Sequence, residues 1–350
     1  MNGPVFILGA GGIGGFVGGR MALAGQDVVL LDPWAEHVEA IRRDGLRVET
    51  PEGIAVARPR ALHLHELHLL RRRGEAPASF GILAAKLYDT AWGAQLLNGL
   101  LPPGAPVLTL QNALVEELVG GICGPQRVLG GVAGQMDVQL LAPGHVKRSR
   151  RTGQAPEPVL KVGETTGRAT PRAEAIAARL RAAETCVVTT TLWEERWTKL
   201  CMNTATTGIS GVGGHTLKQV LADPALRPLV LRLAAEALAV GLAMGFQPAK
   251  LYGVPATLFP QAVAGDATAL ATIDAALRWQ TDSMADDGIS GTLQDLRKGR
   301  RTEVDFFNGF IAERGAALGV PTPTQAALAA RIRALEAGEG EPAPGLLDGV

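Results

Sequence analysis

The opening stretch of the chain restricts its fold more than any other. A short apolar strand, Pro4 to Leu8, runs directly into Gly9-Ala10-Gly11-Gly12-Ile13-Gly14, and a helix-like sequence follows through Ala24. Strand, GxGxxG turn and helix in that order suit a dinucleotide pyrophosphate. The glycines let backbone amides approach the phosphates, and the helix N-terminus favours their negative charge. GxGxxG alone is a weak signal. Its place between a strand and a helix, with a second strand from Asp27 to Leu31 behind it, makes a Rossmann βαβ unit the reading here rather than a plain glycine-rich turn.

Asp32 stands at the tip of that second strand, 18 residues beyond Gly14. A carboxylate there accepts hydrogen bonds from the adenosine ribose hydroxyls and repels a 2′-phosphate. Pro33 and Trp34 bring no cation to offset it; Arg42 and Arg43 are near in sequence, on the helix that should follow. Taken alone, this position favours NAD(H).

Two more apolar strands, Phe80 to Ala85 and Pro106 to Leu110, deliver Lys86-Leu87-Tyr88-Asp89-Thr90 and Gln111-Asn112 at their C-terminal ends. In an open α/β sheet those ends form the ligand crevice, so Lys86 and Asn112 are expected beside the cofactor held by Gly9 to Gly14. Leu46 to Val56 reads as a hairpin around Pro51-Glu52-Gly53, and Val128–Ala133, Val138–Leu141, His145–Arg148, Val159–Val162 and Cys186–Thr190 as further strands completing or flanking the sheet. Arg58 to Arg73 carries His63, His65 and His68 and ends in three arginines; a metal site is conceivable there, but a surface helix or excursion is preferred because no cysteine or carboxylate cluster accompanies it beyond Glu66.

From Trp193 the pattern is helical to Leu335, with breaks at Gly211–Gly214, Pro248–Pro255 and Asp286–Gly291. The expected fold is therefore α/β, with an N-terminal Rossmann-type dinucleotide-binding domain over residues 1–190 and an all-helical C-terminal domain over 191–337. The Gly-, Glu- and Pro-rich tail, 338–350, is expected to fray. Within WEERWTKLCMNTATTG, Lys199 and Asn203 stand four residues apart on one helical face, continued by Thr206 and Thr207. A solvated lysine is the bland reading. The alternative is an ammonium that protonates a carbonyl oxygen while the amide holds it in line.

The composition narrows the function classes. Basic and acidic residues balance at 34 each, so there is no excess positive charge for nucleic acid. At 47% hydrophobic and 19% charged, the 350 residues suffice for two cored domains. Cys123, Cys186 and Cys201 lack any CxxC spacing and are read as buried free thiols, and the most apolar helical stretch, Leu226 to Phe246, is interrupted by Arg227, Arg232 and Glu236. That stretch reads as a core or dimer helix, so a homodimer is admitted. A soluble cytoplasmic protein with no membrane or nucleic-acid partner is the expectation.

GAGGIGG, AAKLYDT, LQNA, WTKLCMN and the block SGTLQDLRKGRRTEVDFFNG occur in that order, and with them the sequence resembles the ketopantoate reductase family over nearly its whole length. The resemblance implies NADPH-dependent reduction of a 2-keto acid, first of all 2-dehydropantoate to pantoate in pantothenate biosynthesis. It also implies roles. Lys199 would be the proton donor and Glu303 the acidic residue orienting substrate and cofactor. Asn203 would bind substrate, Lys86 and Asn112 would lie at the nicotinamide ribose and substrate, and Gly9, Ala10, Gly11, Gly12, Ile13 and Gly14 would hold the pyrophosphate. Thr207, Ser290 and Thr292 occupy or flank positions where the family usually has substrate-binding asparagine and serine; Gly291 replaces the nearer serine, Ala113 the glycine of QNG, and Met136 a small residue. These departures touch substrate positions rather than the proton donor, so a different 2-keto acid stays open. So does a non-catalytic dinucleotide sensor, which the joint presence of Lys199, Asn203 and Glu303 argues against. The family's NADPH and the local charge at Asp32 disagree: NADPH is placed first, with NADH retained.

Overall fold

The computed structural model describes residues 3–71, 76–151, 157–282 and 284–350. It divides into two compact units, 1–192 and 193–350.

The first unit begins with β1 (Val5–Leu8), α1 (Gly12–Leu23), β2 (Val28–Leu31), α2 (Ala35–Asp44), β3 (Leu46–Thr50), β4 (Gly53–Ala57) and β5 (Arg60–Leu62). It continues through β6 (Phe80–Leu83), α3 (Thr90–Leu100), β7 (Val107–Thr109), α4 (Glu116–Cys123), β8 (Val128–Ala133), β9 (Val138–Ala142) and β10 (His145–Arg148), and closes with β11 (Leu160–Glu164), α5 (Pro171–Leu180) and β12 (Cys186–Thr189). Among the described residues the main sheet has the order β12-β11-β8-β7-β6-β1-β2-β5. The run from β8 to β5 is parallel, while β11 is antiparallel to β8. Chain order runs outward in both directions from β1 and β6, so the topological switch point falls at the end of β1, where the glycine turn sits.

β1, β2 and β6 are buried along their whole length, which is why they read as unbroken apolar runs rather than alternating ones. A second sheet, β4-β3-β10-β9, lies against the other side of α1. α1 is glycine-rich because it is gripped from both sides. A Cβ on Gly18 would come 2.7 Å from Leu30 of the main sheet, and one on Gly19 2.7 Å from Val48 of the small one. The strands after β8, expected to complete or flank the sheet, divide accordingly: β11 and β12 join it and β9 and β10 do not.

The Arg58–Arg73 segment differs in part from the expected excursion. Arg60–Leu62 is a strand pairing with β2 at the sheet edge, followed by a 3-10 helix over Leu64–Arg71. Arg72 and Arg73 lie outside the described residues.

The second unit is helical: α6 (Leu192–Gly213), α7 (Leu217–Ala222), α8 (Arg227–Ala243), the two-residue strands β13 (Lys250–Leu251) and β14 (Val254–Pro255), α9 (Leu258–Val263), α10 (Ala267–Asp282), α11 (Gly291–Arg297), α12 (Asn308–Leu318) and α13 (Pro323–Glu336). α6 starts at the last residue of the first unit. α8, the apolar stretch read as core or dimer helix, is a core helix of this unit, packing against α7, α9, α12 and α13. No described helix is long and apolar enough to cross a membrane. The tail does not fray as expected. Pro344–Leu347 forms a 3-10 turn, Leu347 is 9% exposed, and the Ala343 N–H donates to the Val212 carbonyl at 2.9 Å. Docking of Leu347 supplies the order that the tail's composition does not.

Candidate functional site

In the first unit, Gly9 adopts φ +94°, and a Cβ there would lie 2.6 Å from the Ala85 backbone nitrogen. Only glycine lets the ends of β1 and β6 approach so closely. A Cβ on Gly14 would meet the Gly9 carbonyl oxygen at 1.9 Å, so the third glycine of the motif lets α1 start directly under the turn.

Ala10, between these glycines, is clamped at both its backbone polar groups. The Ala10 N–H donates to Asp32 Oδ2 at 2.7 Å, and the Ala10 carbonyl is 2.9 Å from His37 Nε2. The Gly144 N–H donates to His37 Nδ1 at 2.9 Å, which makes Nδ1 the acceptor, so Nε2 carries the hydrogen and donates to Ala10. His37 is fully buried and stacks on Trp34. Its pKa is lowered chiefly by burial, with Asp32 and the Ala10 hydrogen bond opposing. Sequence reasoning passed over His37; no motif marks it, since its role depends on the Gly144 turn 107 residues away.

Asp32 is 9% exposed and also accepts the Trp34 N–H at Oδ1, 2.9 Å. The carboxylate expected at the ribose thus holds the glycine loop as well. Two of its four lone-pair sites are engaged, and two remain for a diol.

Lys86 and Asn112 follow β6 and β7, at the same end of the sheet as the glycine turn, and both are half-buried. Gln111 joins their two strand ends: its Nε2 donates to the Ala85 carbonyl and Thr90 Oγ1, both at 2.9 Å, and to the Lys86 carbonyl at 3.3 Å. Asn112 is followed by Ala113 at φ +56°, a left-handed position held by a residue with a Cβ. Met136 is buried in the core of this unit, flanked by Gln135 and Asp137, also at positive φ.

The described part of the histidine segment is engaged locally. His63 Nε2 lies 2.6 Å from Glu39, His63 and His65 stack at 5.2 Å, and His68 Nδ1 contacts the His65 carbonyl at 3.2 Å. Among the described residues no group of three or more His, Cys, Asp or Glu side chains is placed to hold a metal.

In the second unit, α6 is anchored by Trp197. Its indole is fully buried, stacks on Phe246 at 4.7 Å and donates to the Ala237 carbonyl at 3.1 Å. Gly241 makes room: a Cβ there would fall 2.0 Å from the indole nitrogen. Lys199, two residues on, inherits that fixed orientation. Around it the burial follows the helical period: Leu200, Cys201, Thr204, Ala205 and Gly208 are buried, while Lys199, Met202, Asn203 and Thr207 are half-buried along one face. The expected cation and amide do share that face. Thr206 is on its edge, its hydroxyl donating to the Met202 carbonyl, and the Thr207 hydroxyl donates to the Asn203 carbonyl, both at 2.9 Å.

The Lys199 ammonium is pushed down to about 7. Burial contributes most, the like charge of Arg196 adds to it, and Glu303 opposes both. Glu303 is half-buried at the start of a 3-10 turn, Val304–Phe306. Sequence reasoning passed over Arg196. Three residues before Lys199 and 1% exposed, it carries the signal of a charge on a buried helical position.

Ser290 and Thr292, considered for substrate, are built into the scaffold. The Ser290 hydroxyl donates to the Thr207 carbonyl and accepts the Leu293 N–H, each at 3.1 Å, as the N-cap of α11; Thr292 is 5% exposed and packs on Gly211. Gly291 between them is exposed, with open space where a side chain would stand.

A parallel sheet with a glycine turn at its switch point, joined to a helical unit bearing a depressed lysine, defines a dinucleotide-binding oxidoreductase. The profile described as Ketopantoate reductase PanE/ApbA matches residues 5–156, and that described as Ketopantoate reductase PanE/ApbA C terminal matches residues 191–336. The chain belongs to the ketopantoate reductase family. A 2-dehydropantoate 2-reductase of Mesorhizobium japonicum is 27% identical, the match covering 96% of this chain and 98% of that one. The crystal structure of a PanE/ApbA family ketopantoate reductase from Ralstonia eutropha JMP134 superposes with a TM-score of 0.74 at 27% identity, over 96% of this chain and 99% of the other. D-mandelate dehydrogenase, solved with NADH and anilino(oxo)acetate, shares the fold with a TM-score of 0.75 at 20% identity, over 96% and 99%.

Proposed function

We propose that the protein reduces the carbonyl of a 2-keto acid to the 2-hydroxy acid with NADPH or NADH, with 2-dehydropantoate as first substrate. The observation that carries this reading is Lys199: a half-buried ammonium with its pKa near 7, on one helical face with Asn203 and under the influence of Glu303. The dinucleotide, when bound, supplies the hydride that the carbonyl carbon receives. Lys199 Nζ gives its proton to the carbonyl oxygen as that oxygen gains charge, and a pKa near the working pH suits both holding and releasing it. Asn203 holds the oxygen in line through its amide. Glu303 keeps enough of the lysine protonated and orients the substrate, while Lys86 and Asn112 face the nicotinamide end of the cofactor. Family membership and the names of the full-length relatives support the choice of substrate.

Thr207 and Gly291 favour a second reading, in which the keto acid is larger or less hydroxylated than ketopantoate. The Thr207 hydroxyl is engaged with its own helix, Ser290 is committed to a cap, and Gly291 leaves space. The test is the initial rate of NADPH and of NADH oxidation with ketopantoate and a panel of bulkier 2-keto acids, for the parent chain and Lys199→Ala. Turnover that collapses in the variant while dinucleotide binding persists is expected. No turnover on any keto acid would refute the assignment.

A further inference from the structure

We propose that the reductant is NADH: the adenosine end of the dinucleotide site accepts a ribose diol and rejects a 2′-phosphate. The inference deepens the proposed function and rests on the dinucleotide reading of the glycine turn. That turn fits the pyrophosphate shared by both cofactors, because Gly9 and Gly14 leave no room for side chains where backbone must approach. The two cofactors differ only at the adenosine ribose, and among the described residues the groups near Asp32 in sequence are acidic or already engaged.

Asp32 directly follows β2, with its two oxygens fixed by the Ala10 and Trp34 N–H groups, so its charge cannot swing away from an incoming phosphate. Its two remaining lone-pair sites match the two hydroxyls of an unphosphorylated ribose. Glu36 lies in the first turn of α2, where a phosphate-accepting helix would leave its N-terminus bare.

The basic groups near enough in sequence to help are committed elsewhere. Arg42 donates through Nε to the Ala61 carbonyl at 2.9 Å, through Nη1 to Glu39 at 3.0 Å, and through Nη2 to Glu66. Arg43 is paired with Asp44 at 2.7 Å on the exposed side of α2. His63, which follows the β5 strand end beside Asp32, is held by Glu39. Arg60 begins β5 in register with Val29, away from the strand end that carries Asp32. Recruiting Arg42 to a phosphate would break its ion pairs with Glu39 and Glu66.

A phosphate placed against a fixed carboxylate, with Arg42, Arg43 and His63 already committed among the described residues, is discriminated by about 30-fold or more. The experiment is direct titration of NADH and NADPH onto the protein, followed by nucleotide fluorescence or calorimetry without keto acid. Pro33→Arg serves as the variant. Pro33 is exposed and outside the Asp32 clamp, so an arginine there adds a cation without disturbing the loop. NADH is expected to bind the parent about 30-fold more tightly, and Pro33→Arg to gain about tenfold for NADPH while NADH stays within about twofold. Equal or tighter binding of NADPH to the parent would overturn the proposal. Binding of neither nucleotide would overturn it together with the dinucleotide reading, whereas NADH binding without turnover on any keto acid supports it and removes only the reductase assignment.

Discussion

Arg196→Met should move the pH dependence of the reaction. Arg196 and Lys199 are three residues apart on α6, which puts their Cβ atoms about 5–6 Å apart, and Arg196 is 1% exposed. At a separation of about 7 Å and an effective dielectric of about 20, two like charges repel by roughly 2.4 kcal/mol, or somewhat under two pKa units. Methionine keeps the buried bulk and removes the charge, so the Lys199 pKa should rise from about 7 to between roughly 8 and 9. The sign follows from the role. A proton donor works in its protonated form, so keto acid reduction is level below the Lys199 pKa and falls about tenfold per pH unit above it. Profiles of kcat/KM for reduction should therefore break near pH 7 in the parent and one to two units higher in the variant. Glu303→Gln should move the break the other way, below 7, because Glu303 is the group that raises the lysine. The titration can be read without turnover from the pH dependence of lysine acylation at Lys199. Breaks at the same pH in parent and Arg196→Met would refute the electrostatic argument. A shifted lysine titration with unmoved rate profiles would instead remove Lys199 from the proton transfer.

Two further predictions concern the scaffold of the dinucleotide site. Ala113 sits at φ +56°, where a Cβ costs about 1–2 kcal/mol, partly offset by the freedom glycine gains in the unfolded chain. Ala113→Gly should thus stabilise the protein by roughly 0.5–1 kcal/mol in denaturant unfolding, and a loss of stability would show that packing of the buried methyl outweighs the backbone strain. His37 has its pKa lowered by burial, so the folded state takes up its proton less readily than the unfolded chain. Its share of stability is complete above the ordinary value of 6.5 and is lost as pH falls below it. The melting temperature should drop through that range in the parent and less steeply in His37→Gln; parallel curves would exclude His37 as the titrating group.

The elements legible in the sequence are those whose signal is local. The strand, glycine turn and helix at the N-terminus stand where the residues placed them, and the hairpin at Pro51-Glu52-Gly53 closes as its turn residues dictate. The helical face of Lys199 and Asn203 needed only a period of 3.6. What stayed hidden depends on distant partners. Arg60-Ala61-Leu62 is a strand because β2 offers it an edge, and three residues carry no pattern of their own. Leu347 orders the tail by docking near Gly213. The Ser290 hydroxyl looked available until its two partners, Thr207 and Leu293, came within reach. Arg42, near Asp32 in sequence, is likewise engaged by a residue 24 positions away, Glu66.

The clamp on Ala10 bears on how fast the nucleotide is captured. A glycine-rich loop that must first find its bound shape lowers the association rate and spends binding energy on ordering. Here Asp32 and His37 hold the N–H and the carbonyl of Ala10, fixing two successive peptide units, and Gly144 locks His37 in turn. The ordering is completed when the chain folds, so each encounter meets a receptor already in its final shape. Arrival of the nucleotide, rather than rearrangement of the loop, then limits how quickly the site fills.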